Sequence, residues 1–253
     1  MPINIEIYIL EFKKRFWTIP MCIICLTFSA CNSFYKPTML NVPLHDKAGD
    51  IQISGAYGYS GGELHLSGAI TNHVYLSANG QILFKKTKED SISLYRSMEF
   101  ALGYYRWLDK AKKVKLDLAC GYGPGDIDYR FLIETIPMQL RFHVSSKYHK
   151  IYLQPSLGFN SHYLDFAISM KGSMLYHYDF TDYYNPKMQL KSFSPIGYLE
   201  PVLTIKKGLK NLRLVFQTGL VWPLTPRHAL ARPIVFPYTS IGFQVKFNPV
   251  NNR

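Results

Sequence analysis

From residue 50 onward, apolar and polar side chains alternate with a period of two. Ile51, Ile53, Tyr57 and Tyr59 alternate with Gln52, Ser54, Ala56 and Gly58, and Leu64, Leu66 and Ile70 with Glu63, His65, Ser67 and Ala69. The same pattern recurs at Val74–Ile82, Val114–Tyr122, Ile136–Val144, Leu212–Leu220 and Ile241–Phe247. Period two places one set of residues on each face of a strand. Three further strands read less cleanly, at 92–105, 151–160 and 196–205. The total is about ten segments of roughly ten residues, the length a tilted strand needs to cross a bilayer.

The composition of the two faces separates a membrane barrel from a soluble sandwich. The non-apolar set is Gly, Ser, Ala and Gln together with Glu63, Glu99, Lys115, Asp117, Arg141, Glu200, Arg213 and Lys246. A soluble core does not bury so many charges, whereas a barrel lumen holds them paired or wet. The pattern predicts an all-β fold, a closed antiparallel up-and-down transmembrane β-barrel of about ten strands over residues 50–247, followed by a short tail, 248–253. The predicted lower turns are 71–73, 106–112, 146–149 and 207–211. The predicted upper connections are 60–62, 85–91, 123–135, 161–192 and 223–236.

The N-terminus reads as a lipoprotein-type signal peptide over residues 1–30. Lys13, Lys14 and Arg15 precede an apolar run from Trp17 to Phe28, then small Ser29 and Ala30, then Cys31. The run is too short for a bilayer core of ~30 Å, so cleavage is expected. Phe28-Ser29-Ala30-Cys31 resembles a bacterial lipobox, which makes Cys31 the expected lipidation site and residues 31–49 a periplasmic leader. Cys22 and Cys25 fall within the apolar run.

The stretch from Cys31 to Gln81 resembles small outer-membrane β-barrel (lipo)proteins of Bacteroidota. It carries Tyr35-Lys36-Pro37, Asn41-Val42-Pro43, Lys47-Ala48-Gly49-Asp50 and Thr71-Asn72-His73. The resemblance implies an outer-membrane barrel and no assigned activity. Surface-exported lipoproteins of such bacteria tend to carry acidic residues soon after the cysteine. Asn32–Lys36 lacks them, which implies an N-terminus that faces the periplasm.

Charge and composition refine this picture. Aromatic residues make up 15% of the 253 residues, with 19 Tyr and 16 Phe, suited to lipid–water boundaries. The net charge of +12 falls in short turns and forms no block of nucleic-acid size. The expected contacts are outer-membrane lipids and a protein partner in the outer membrane or periplasm. The eight His residues show no metal spacing, and neither metal nor cofactor is expected. Opposite lumen charges on neighbouring strands are expected to pair and plug the interior. The 161–192 segment, with Tyr163, Tyr176, Tyr178, Tyr183 and Tyr184, reads as a long recognition loop. His143-Val144-Ser145 resembles a motif of outer-membrane lipid A deacylases. The turn assignment puts Ser145 in the lumen at the periplasmic end, so no catalytic residue is assigned. The expected function is a non-enzymatic binding or scaffold barrel. A narrow pore is the alternative, and a lipid-modifying enzyme a distant third.

Overall fold

The computed structural model describes residues 35–249, except 89–90, 136–137, 162, 183–194, 210 and 225–235. Among the described residues the chain forms ten strands: β1 (Ile51–Gly58), β2 (Gly61–Ala69), β3 (Val74–Lys88), β4 (Ser91–Trp107), β5 (Val114–Thr135), β6 (Met138–Phe159), β7 (Leu164–Asp182), β8 (Ile196–Gly208), β9 (Leu212–Pro223) and β10 (Phe236–Phe247). Each pairs antiparallel with its chain neighbours, and β1 pairs with β10, from Ile51↔Phe247 to Gly58↔Ser240, closing the barrel. Closure leaves no sheet edge, which is what allows strands to cross a bilayer. We call the mouth where β1 begins and β10 ends the lower mouth.

The exterior is that of a membrane barrel. Leu64, Leu66, Leu76, Phe100, Leu102, Leu153, Ile168, Phe243 and many other large apolar side chains point outward and are exposed. A soluble protein does not show water a continuous apolar belt of this extent. No helix among the described residues is long and apolar enough to cross a membrane.

The strand number is ten, but one strand, β6, was expected as two and another, β7, as a loop, and the two errors offset each other. Residues 123–135 and 146–149, read as a loop and a turn, lie within β5 and β6, each 22 residues long. Residues 161–192, read as one loop, contain the 19-residue β7. At ~3.3 Å per residue, β5 and β6 rise far above β1 and β2, which have 8 and 9 residues. The barrel is therefore low on the β1–β2 side and tall over β4–β7.

Prolines sit within several strands and have a local cost. Proline donates no ladder hydrogen bond. The β4–β5 pairing skips from Ser97↔Gly125 to Phe100↔Tyr122 beside Pro124. The β6–β7 pairing skips from Leu153↔Gly172 to Ser156↔Ser169 beside Pro155, and the β8–β9 pairing from Leu199↔Trp222 to Val202↔Gly219 beside Pro201.

The largest departure from expectation is the leader. Residues 35–49 do not hang below the barrel as a periplasmic segment; from Tyr35 to Leu44 the chain runs down the inside of the lumen. Tyr35, Thr38, Met39, Leu40, Val42, Leu44 and His45 are each at most 4% exposed. The chain turns at Leu44 (φ 52°) and Gly49 (φ 80°) and enters β1 at the lower mouth.

Candidate functional site

The lumen is filled from two directions. Tyrosines on the strands cover glycines on their cross-strand partners, in the pairs Tyr75↔Gly103, Gly121↔Tyr152 and Gly125↔Tyr148. At each of these glycines a Cβ would come within 2.0–2.3 Å of the tyrosine ring. The missing side chain is the space the ring occupies.

The leader fills the rest and bonds to side chains of all ten strands. An extended segment without a ladder partner must satisfy its backbone groups by other means, and here the strand side chains do so. Met39 N–H donates to Glu63 (2.7 Å). Leu40 N–H donates to Gln217 Oε1 (3.0 Å), while Gln217 Nε2 donates back to Leu40 O (2.7 Å). This is an amide pair that imitates a strand contact. Asn41 O accepts from Gln154 (3.0 Å), Pro37 O from Ser60 and Gln81, Val42 O from Lys206, and His45 O from Lys115. Asn41 also reaches Asn79 (3.2 Å), and the His45 ring faces Gln52 (3.4 Å).

At mid-height the leader enters a buried charge cluster. Glu99 pairs with Lys150 and with Lys171 (3.0 Å), and all three side chains are at most 1% exposed. Thr38 Oγ1 donates to Glu99 (2.9 Å) and accepts from Lys171 (2.9 Å). Glu200, opposite Lys171 across β7–β8, accepts from the Tyr35 hydroxyl (2.7 Å). Two ammonium groups thus face two carboxylates, and the leader supplies hydroxyls to both. A balanced cluster is what a buried site needs, because an unpaired charge there is expensive.

At the lower mouth, Lys246 pairs with Asp46 and with Asp50 (3.1 Å), and Arg213 pairs with Asp165. These residues, with Gln52 and Gln244, line a cavity of about 660 Å³. Burial works against ionisation of Asp50. Its hydrogen bonds from Asn248 and from the Asp46 N–H, with Lys246 beside it, hold the carboxyl below the ordinary carboxylate range.

The expected charge constellation is placed as follows. Glu63, Glu99, Lys115, Asp117 and Glu200 are buried in the lumen, with Asp117 accepting from Tyr75 (2.8 Å), and Arg213 and Lys246 sit at the lower mouth. Arg141 is on β6, its side chain outside the described residues. The sequence reading missed Lys150, Lys171 and Lys206. It placed the first beside a turn, the second in a loop and the third at the foot of a strand, whereas all three point inward on strands. The alternation of β6, β7 and β8 was the signal that could have found them.

A second set of residues faces outward above the apolar belt on the tall side. Tyr122 bonds to His149 (2.6 Å), and His149 stacks on Tyr178 at 4.6 Å, forming an aromatic step. Above it lie Arg96–Asp126 (2.7 Å) and Lys147–Asp179 (3.4 Å), and His143 Nε2 meets Asp128 (3.1 Å). His143 and Ser145 therefore belong to the outer wall towards the upper end, and not to the lumen at the lower end as their turn assignment implied. Of the expected loop tyrosines, Tyr176 and Tyr178 are exposed on β7 and Tyr163 is exposed just before it. Tyr183, Tyr184 and the expected lipidation site Cys31 lie outside the described residues.

No family model and no curated protein matches this chain. Among solved structures it is similar to the translocator domain of autotransporter NalP from Neisseria meningitidis, with 10% identity and TM-score 0.45 over 78% of this chain and 86% of that one. It is also similar to LpxR from Salmonella typhimurium, with 9% identity and TM-score 0.36 over 78% and 99%. A third is the CymD monoaromatic hydrocarbon channel, with 8% identity and TM-score 0.39 over 80% and 67%.

Proposed function

We propose that this protein is an outer-membrane barrel sealed by its own leader, which acts by binding or scaffolding and not by conducting solutes. The observation that carries the reading is the leader in the lumen, bonded to side chains of all ten strands. A ten-stranded barrel is narrow to begin with, and the leader occupies its axis. The recognition role expected of a 161–192 loop passes to the tall wall, where Arg96, Asp126, Lys147, Asp179, His149 and Tyr178 face outward above the apolar belt. A polar, tyrosine-bearing wall at headgroup height suits lipid headgroups or a neighbouring protein. The test is single-channel recording of the full chain in planar bilayers. The reading predicts a silent baseline, and discrete open steps would overturn it in favour of a narrow pore.

One observation favours a second reading, a lipid-ester hydrolase. Asp128 orients His143, and Ser145 shares the outward face two residues along β6. A serine beside a histidine oriented by a carboxylate can attack an ester carbonyl: the histidine takes the hydroxyl proton and gives it to the alcohol that leaves as the ester C–O bond breaks, and water then hydrolyses the acyl-serine to the free acid. Mass spectrometry of lipid A from cells carrying the wild type or Ser145→Ala decides it. Loss of an acyl chain that depends on Ser145 supports the hydrolase, and identical spectra exclude it for this lipid.

A further inference from the structure

The direction of the leader has a consequence for membrane topology. Asp50 lies at the lower mouth, bonded to Lys246 and Asn248, next to the end of β10. From there back to Tyr35 the partners climb. His45 and Asp46 meet Lys115 near the foot of β5. Leu40 meets Gln217 and Thr38 meets Glu99 at mid-height. Pro37 O accepts from Ser60 in the upper β1–β2 turn, and Lys36 Nζ donates to Tyr59 in that same turn (3.1 Å) and lies over its ring at 4.3 Å. The chain thus traverses the lumen antiparallel to the first strand and reaches the upper mouth on the low side of the barrel. Tyr35, still buried, stacks on Tyr198 (4.2 Å) near the top of β8 and points its hydroxyl down to Glu200.

We propose that the leader crosses the outer membrane inside its own barrel and delivers the chain N-terminal to Tyr35 to the cell surface, over the low β1–β2 rim. This rests on the reading that the lower mouth is periplasmic, as the short turns at residues 70–73, 108–113 and 209–211 require for an outer-membrane barrel. Residues lie at most ~3.6 Å apart along an extended chain, so Cys31, four residues before Tyr35, is tethered within about 14 Å of it. On this proposal Cys31 belongs to the surface side of the barrel, where the low rim carries the exposed Tyr57 outward. This is the opposite side from the one implied by the absence of acidic residues after Cys31. The lumen cluster then acts as a clamp on a threaded segment. Its ligands come from all ten strands, so the barrel has to close around the leader during assembly.

The test is cysteine accessibility of the full chain in the outer membrane of intact cells, in a Cys120→Ser background that removes the lipid-facing thiol. Ser33→Cys reports the N-terminal side, Lys110→Cys the lower β4–β5 turn and Asp90→Cys the upper β3–β4 connection. A membrane-impermeant maleimide is applied before and after lysis, and heat-modifiability on gels confirms that each variant is folded. The proposal predicts that Ser33→Cys labels on intact cells together with Asp90→Cys, while Lys110→Cys labels only after lysis. Ser33→Cys labelling only after lysis, with Lys110→Cys, would overturn the threading. Labelling of Lys110→Cys on intact cells, with Ser33→Cys protected, would leave the threading intact but overturn delivery to the surface, because the barrel would be inverted.

Discussion

At the residue scale the lumen depends on a few exact complements. Among the described residues, Glu99 is the one carboxylate in ion-pair contact with both Lys150 and Lys171. Glu99→Gln keeps the shape but leaves two buried ammonium groups with one carboxylate, Glu200. Breaking a buried pair in this way costs about 3–5 kcal/mol. The expected result is a clear drop in the temperature at which the folded band is lost on gels, without loss of membrane insertion. Space is as strict as charge. Gly121→Val would drive a side chain into the Tyr152 ring, at an expected cost of about 1–3 kcal/mol. Tyr152→Ala should recover part of that loss in the double variant, and a simple sum of the two single effects would contradict the contact. The carboxylates of this network were legible in the sequence because Glu63, Glu99, Asp117 and Glu200 stand at non-apolar positions of alternating strands. Their main counterions were not, because Lys150 fell beside a stretch read as a turn and Lys171 within one read as a loop.

At the element scale the misread stretches 123–135 and 146–149 share one physical cause. The outward face is marked by apolar residues only where lipid covers it. Above the belt, β5–β7 carry Asp126, Asp128, Ser145, Lys147 and Asp179 outward, so the alternation persists without its apolar signature and reads as turn or loop. β7 is a different case, because its apolar alternation was present in the sequence: Phe166, Ile168, Met170 and Met174 face out, while Asp165, Ala167, Ser169, Lys171 and Ser173 face in. The leader has no period, because Pro37 and Pro43 interrupt it and its partners are side chains scattered over the barrel. No sequence pattern announces that arrangement. Its lower anchor does make a pH prediction. The Asp50 carboxyl is held below its ordinary range, so the stability it contributes is present above its unfolded pKa of about 4 and is lost as pH falls through its folded value. In a Trp222→Phe background, Trp107 emission at the lower mouth should stay constant from pH 7 to 5 and change only below about pH 4. A change centred between pH 6 and 7 would contradict this anchor.

At the scale of the whole molecule, the barrel class, the strand number and the inside-out distribution of charge were all readable from alternation and face composition. What the lumen contains was not: the leader occupies its axis, which favours the proposed sealed scaffold, already the first expectation, over the narrow pore. A barrel of ten strands with only its own side chains inside is expected to be nearly plugged. With the leader as an additional axial element, the proposed resting state is closed. Deleting residues 37–45 removes that element while leaving the strands. The deletion should convert a silent barrel into one with measurable conductance in planar bilayers, and continued silence would show that strand side chains alone suffice. The claim on which all of this rests is that the leader lies inside the barrel. Amide hydrogen exchange of the detergent-solubilised full chain tests it most directly. The N–H groups of Met39 and Leu40 donate to buried Glu63 and Gln217, so peptides covering residues 37–45 should exchange as slowly as those from β4 and β8. Exchange of this segment at the rate of an unstructured peptide, with the strands protected, would place the leader outside the barrel and contradict the account.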